Sequence, residues 1–121
     1  MNSKVLILVG LLSLTFPALA HDAKGPNGGR VTDAGNYHVE LVTKQNDIEV
    51  FISDSKEKPV ASTGFKGLVI LAVQGKPVRV TLEPSGSDRL KGSADLAIPV
   101  NAKGVVQLTA PDGKTAQAKF E

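Results

Sequence analysis

Two histidines carry most of the chemistry open to this chain, because it has no cysteine to act as thiolate ligand or nucleophile. The first, His21, follows a stretch built like a secretory signal, so export would leave it at the new N-terminus. There its free amine and an imidazole nitrogen would close a compact chelate ring that suits Cu(II). The second, His38, stands in the alternating segment Tyr37-His38-Val39-Glu40-Leu41-Val42. Side chains of a strand point alternately to its two faces, so His38 and Glu40 share one face, opposite Tyr37, Val39 and Leu41. A leader folded back over that face would join His21 to His38 in a three-nitrogen copper site of the histidine-brace type. Glu40 is then the next candidate metal ligand. The other carboxylates considered, Asp22, Asp33 and Glu49, match no calcium-loop spacing and read as surface acids.

Covalent catalysis has little to draw on. No serine sits in a GxSxG elbow, and Gly25-Pro26-Asn27-Gly28-Gly29-Arg30 lacks the Lys-Ser/Thr pair of a phosphate loop. The chain therefore reads as a binding protein and not an enzyme. A copper oxygenase built on His21 and His38 is the remote alternative. It would have little flat substrate platform, and Tyr37 points away from His38 along the strand.

The first residues fix the expected compartment. Lys4 is the charged start and Val5 to Phe16 an apolar run too short to span a bilayer. Pro17 breaks that run, and Ala18-Leu19-Ala20 is a small-x-small cleavage site. Residues 1–20 are thus expected to be a cleaved signal peptide and the mature chain to reside in the periplasm, with no membrane insertion. Lys4 is the only charge before His21, so removing it takes the formal net charge from +2 to +1. A charge that small, with both signs interspersed, argues against nucleic acid and against a polybasic membrane patch.

What must position the histidines is a β-sheet. Residues 21–35 are rich in glycine and polar side chains and read as an arm or loop. After it, residues 36–121 form one domain in which β-branched residues dominate the apolar runs and no helical period is sustained. A loop over Lys44 to Asp47 sets Tyr37, Val39 and Leu41 on one face with Ile48, Val50 and Ile52. A three-residue loop containing Gly75 sets Leu68, Ile70 and Ala72 on one face with Val78, Val80 and Leu82. Pro111-Asp112-Gly113 turns a last hairpin, Val105 to Ala110 with Thr115 to Phe120. Residues 88–98 offer one or two weaker strands. Phe65 is expected to be buried under a loop. The fold class that follows is all-β: six to eight short strands in an antiparallel immunoglobulin-like sandwich, with a small open barrel as the alternative.

Gly25-Pro26-Asn27-Gly28-Gly29-Arg30-Val31, followed by Gly35-Asn36-Tyr37-His38-Val39-Glu40-Leu41-Val42, resembles the opening of the N-terminal β-domain of periplasmic adaptor subunits of heavy-metal efflux pumps of the RND type. The likeness continues through Glu49-Val50-Phe51-Ile52, Lys58-Pro59-Val60 and Gly64-Phe65-Lys66-Gly67. It implies an accessory role beside copper-type metal homeostasis or efflux, with pump components or other periplasmic proteins as partners. One position departs from the pattern: Asn27 stands where such sequences often carry histidine, replacing an imidazole ligand by an amide. A metal-free module that docks another envelope protein is the competing reading.

Overall fold

The structure, a computed structural model, describes residues 23–121. His21 and the expected signal peptide lie outside these residues. The strands are β1 (Ala23–Lys24), β2 (Arg30–Ala34), β3 (Tyr37–Lys44), β4 (Asp47–Ser53), β5 (Lys66–Val73), β6 (Lys76–Ser85), β7 (Arg89–Ser93), β8 (Lys103–Thr109) and β9 (Thr115–Phe120). All pairings are antiparallel, and among the described residues no segment is helical. The all-β expectation thus holds, with nine strands in place of six to eight.

The layers differ from a two-sheet sandwich. The strands form one continuous sheet in the order β1-β2-β3-β4-β7-β6-β5-β8-β9, curled into an open half-barrel. The reason lies in β6, whose first part pairs with β5 as far as Leu82 while Glu83 to Ser85 pair with β7. One strand therefore belongs to both halves, and the sheet bends there instead of ending. At the open seam Arg30 bridges the two ends: its Nη2 donates to the Ala102 carbonyl at 2.6 Å, and its guanidinium lies 5.3 Å from the Phe120 ring centre. A cation–ring contact of this kind supplies cohesion where ladder hydrogen bonds are missing.

Inside the curl, Val39, Leu41, Ile48, Val50 and Ile52 meet Val69, Leu71, Val80, Leu82, Val106 and Leu108, all buried. Burying such side chains contributes about 1.5–3 kcal/mol each before entropy is charged. Phe65 is buried as well and meets Tyr37 edge-on, with ring centres 5.4 Å apart. The β3–β4 register pairs Val39 with Ile52 and Leu41 with Val50, the facing that the sequence predicts.

The β5–β6 facing is corrected. Val69 lies opposite Val80 and Leu71 opposite Val78, so Val69, Leu71 and Val73 face inward, while Leu68 and Ile70 are only half-buried and Ala72 is exposed. The hairpin closes through Gln74 and Gly75 alone, both with positive φ (53° and 78°). This is the twist-matched two-residue turn, one residue shorter than the loop expected, and a shift of one inverts the strand. The last hairpin closes as expected, Gly113 adopting φ 88° and donating to the Ala110 carbonyl.

Candidate functional site: an imidazole–carboxylate pair beside a capped turn

The segment read as an arm is a hairpin laid against β3. β1 pairs with β2 through Ala23 with Val31 and Lys24 with Arg30, and residues 25–29 form the turn between them. Polar loops need partners for their N–H groups when they pack on a sheet. Here Glu40 supplies them: its Oε2 accepts from the Asn27 backbone N–H at 2.8 Å and from the Gly29 N–H at 2.9 Å, and its Oε1 accepts from the Asn27 side-chain amide at 2.8 Å. Glu40 as a whole is 4% exposed. The turn comes this close only because its ends are glycine. A Cβ on Gly29 would lie 2.3 Å from the Leu41 carbonyl oxygen, and one on Gly25 would lie 2.3 Å from the Glu40 carboxyl carbon. Expected as a metal ligand, Glu40 thus has both oxygens engaged by donors of its own chain, and coordination would have to break those bonds.

Asn27 takes its meaning from the same contact, as a donor to the carboxylate. Asn27→Ala keeps the backbone bonds and loses the amide one, so urea unfolding should show a loss of about 1 kcal/mol.

His38 sits one strand position pair further along the same outer face. The two-residue turn Gly35-Asn36 between β2 and β3 places Asp33 directly opposite His38, and Asp33 Oδ1 lies 2.6 Å from His38 Nδ1. An ionised carboxylate only accepts, so a neutral imidazole held this way carries its proton on Nδ1 and leaves the Nε2 lone pair for a ligand. The His38 side chain is 31% exposed and Asp33 71% exposed. On the far side of His38 its cross-strand partner is Ser53.

These residues line an open groove of about 860 Å³, in which Ala23 and Asn27 come from the N-terminal hairpin, Asp33, His38 and Phe51 from the sheet face, and Pro59 from the following loop. That loop is held by Asp54, whose Oδ1 accepts from the backbone N–H groups of Lys56 and Lys58 at 2.8 and 2.9 Å. The Lys58 bond, first, holds the Asp54 carboxyl below the usual carboxylate range. Behind the groove Arg89 stacks over Phe51, 4.8 Å from the ring centre, and bonds Glu49 at 2.7 Å and Asp88 at 3.0 Å. The Arg89 side-chain bond lowers the Asp88 carboxyl, and the guanidinium itself is pushed up by Asp88 and Glu49.

Among the described residues, no group of three or more His, Asp or Glu side chains converges as a metal cage. The structure brings His38 together with Asp33, an acid whose spacing alone marks it only as a surface carboxylate, and it joins Glu40 and Asn27 at the turn. The signal for the first pairing was present: Gly-Asn between alternating segments is a two-residue hairpin turn, and its register sets residue 33 against 38. Comparison with protein-family models, curated proteins and solved structures finds no match. Fold and site together define a small antiparallel half-barrel domain with an oriented histidine on its outer face.

Proposed function

We propose that this chain is an exported accessory protein that binds a transition-metal ion, copper fitting the donors best, in the service of metal homeostasis or efflux. The observation that carries the reading is the Asp33–His38 contact. A ligating histidine usually donates its second ring N–H to a carboxylate, which fixes the ring and makes the free nitrogen a better donor. His38 already has that partner.

The further ligands in this reading are the amine and imidazole of His21. Ala23 lines the groove that His38 lines, and two residues of chain span at most about 7 Å. Glu40 has the supporting part: it holds the turn that directs the N-terminal strand toward the groove. Two imidazoles and an amine make a nitrogen set that suits tetragonal Cu(II). The sequence resemblance to efflux-adaptor domains supports the same class of role, with a pump component or another periplasmic protein as the recipient of the ion.

The test is a Cu(II) titration, by calorimetry and electron paramagnetic resonance, of protein processed to begin at His21. The expected spectrum has nitrogen-rich tetragonal coordination. Both His38→Ala and a form carrying one extra residue before His21 should weaken binding by about tenfold or more. Equal affinity in all three proteins would overturn the ligand set.

A further inference from the structure

The outer face of β5 and β8, away from the strands that line the groove, has a character of its own. Register places Leu68, Ile70 and Val105 side by side on the outer surface of β5 and β8, with all three half-buried. In the central row Arg79 lies opposite Ile70 on one side, Val105 on the other, and Lys119 beyond Val105. Lys66 and Lys103 occupy the two ends of the same face, again on β5 and β8. All four cationic side chains are exposed. Among the described residues none of the four takes part in an ion pair. The acids of the same parity, Glu83 and Glu121, come one row beyond the last paired positions, beside Lys66 and Lys103 at the two ends, so Arg79 and Lys119 are the cations of the central row. An apolar centre flanked in its own row by Arg79 and Lys119 has the make-up of a docking patch, in which the apolar part supplies affinity and the charges select the partner.

We propose that this face docks an acidic protein segment whose apolar side chains cover Leu68, Ile70 and Val105 while its carboxylates meet Arg79 and Lys119. Charge complementarity points to an acidic occupant. The make-up of the patch favours protein over lipid: its three apolar side chains are half-buried, and the chain has no tryptophan to anchor at a membrane interface. The neighbouring Thr81, Gln107 and Gln117, in one row across the sheet with Leu68, offer the uncharged hydrogen-bonding groups of a protein contact. The site is independent of the metal reading and stands on the other half of the fold.

Amide NMR of the full processed chain tests it, with a blocked peptide that alternates glutamate and valine as the probe. Saturable shifts at Leu68, Ile70 and Val105 are expected, together with binding weakened by about tenfold in the double variant R79E/K119E. The same variant should keep a folded spectrum, since both residues are exposed. His38→Ala should bind the peptide as the parent does, which separates this site from the metal reading. A peptide with lysine in place of glutamate should not bind. Absence of shifts on this face would overturn the proposal. So would preferential binding to vesicles of phosphatidylglycerol and phosphatidylcholine, which would make it a lipid surface, or salt-sensitive self-association through Asp33, Asp47 and Glu49 of a second copy.

Discussion

Glu40→Ala should lower the unfolding free energy by about 3 kcal/mol in urea, a large effect for a carboxylate on the outer face of a sheet. Three donors converge on this side chain, two of them backbone N–H groups of a turn packed against β3. Removing the acceptor strands them at a site the turn itself shields from water. Each bond to a charged group is worth about 1.5–3 kcal/mol, and the losses do not add fully because the freed turn can lift and rehydrate. Glu40→Gln is the sharper variant, since it keeps the size and one oxygen but turns an amide N–H₂ toward groups that themselves donate. Its cost should be about 2 kcal/mol. Glu57→Ala, on an exposed side chain, should change nothing measurable and serves as the control. Amide exchange at Asn27 and Gly29 should accelerate in both Glu40 variants, localising the damage to the turn.

The same variant separates two roles that sequence alone leaves merged. A histidine and a glutamate two apart on a strand face could both be ligands or could both be scaffolding, because period-two alternation says only that they share a side. What divides them is the turn above. Gly25, Asn27 and Gly29 close over Glu40 and stop short of Asp33, so Glu40 is sealed while His38 keeps a third of its surface open. Polar, glycine-rich composition made residues 21–35 look unstructured, yet the glycines are there for close approach to Leu41 and Glu40, and the strand β2 they introduce carries the partner of His38. Composition reports the freedom of such a segment; it does not report a buried acceptor waiting thirteen positions on from Asn27.

Strand existence was legible nearly throughout, because alternating β-branched runs between turn residues leave few other outcomes. Facing was legible only where an error in loop length could not invert it. The β3–β4 loop, four residues long by the sequence pattern, closes through two, Gln45 and Asn46. That difference takes one residue from each side of the loop and preserves which positions face each other. In the β5–β6 hairpin the error is a single residue, and every facing changes. Gln74 offers no sequence warning of its positive φ, since Asn, Asp or Gly would normally mark that position.

Leu71→Ala should therefore cost about 3 kcal/mol, whereas Ile70→Ala, one position away, should cost about 1 kcal/mol or less. The pair is a direct probe of register. Leu71 is fully buried between Val78 and Gly104, and truncation leaves a cavity that surrounding strands cannot collapse into without breaking their ladders. Ile70 points outward between Arg79 and Val105, and its shortening exposes neighbours already in partial contact with water. The run from Gly67 to Val73 is apolar at both parities, so hydrophobicity on β5 cannot choose a face. On β6 it can: Val78, Val80 and Leu82 alternate with Pro77, Arg79 and Thr81. The inner face of the hairpin is thus dictated by β6, and the turn decides which half of β5 is drawn in with it. If the costs were reversed, Leu68 and Ile70 would be core, and the apolar centre of the cation-flanked face would not exist. Near-equal small losses would mean that β5 slips between registers. A large loss confined to Leu71 ties the two-residue turn, the buried interior and the exposed patch to a single alignment of strands.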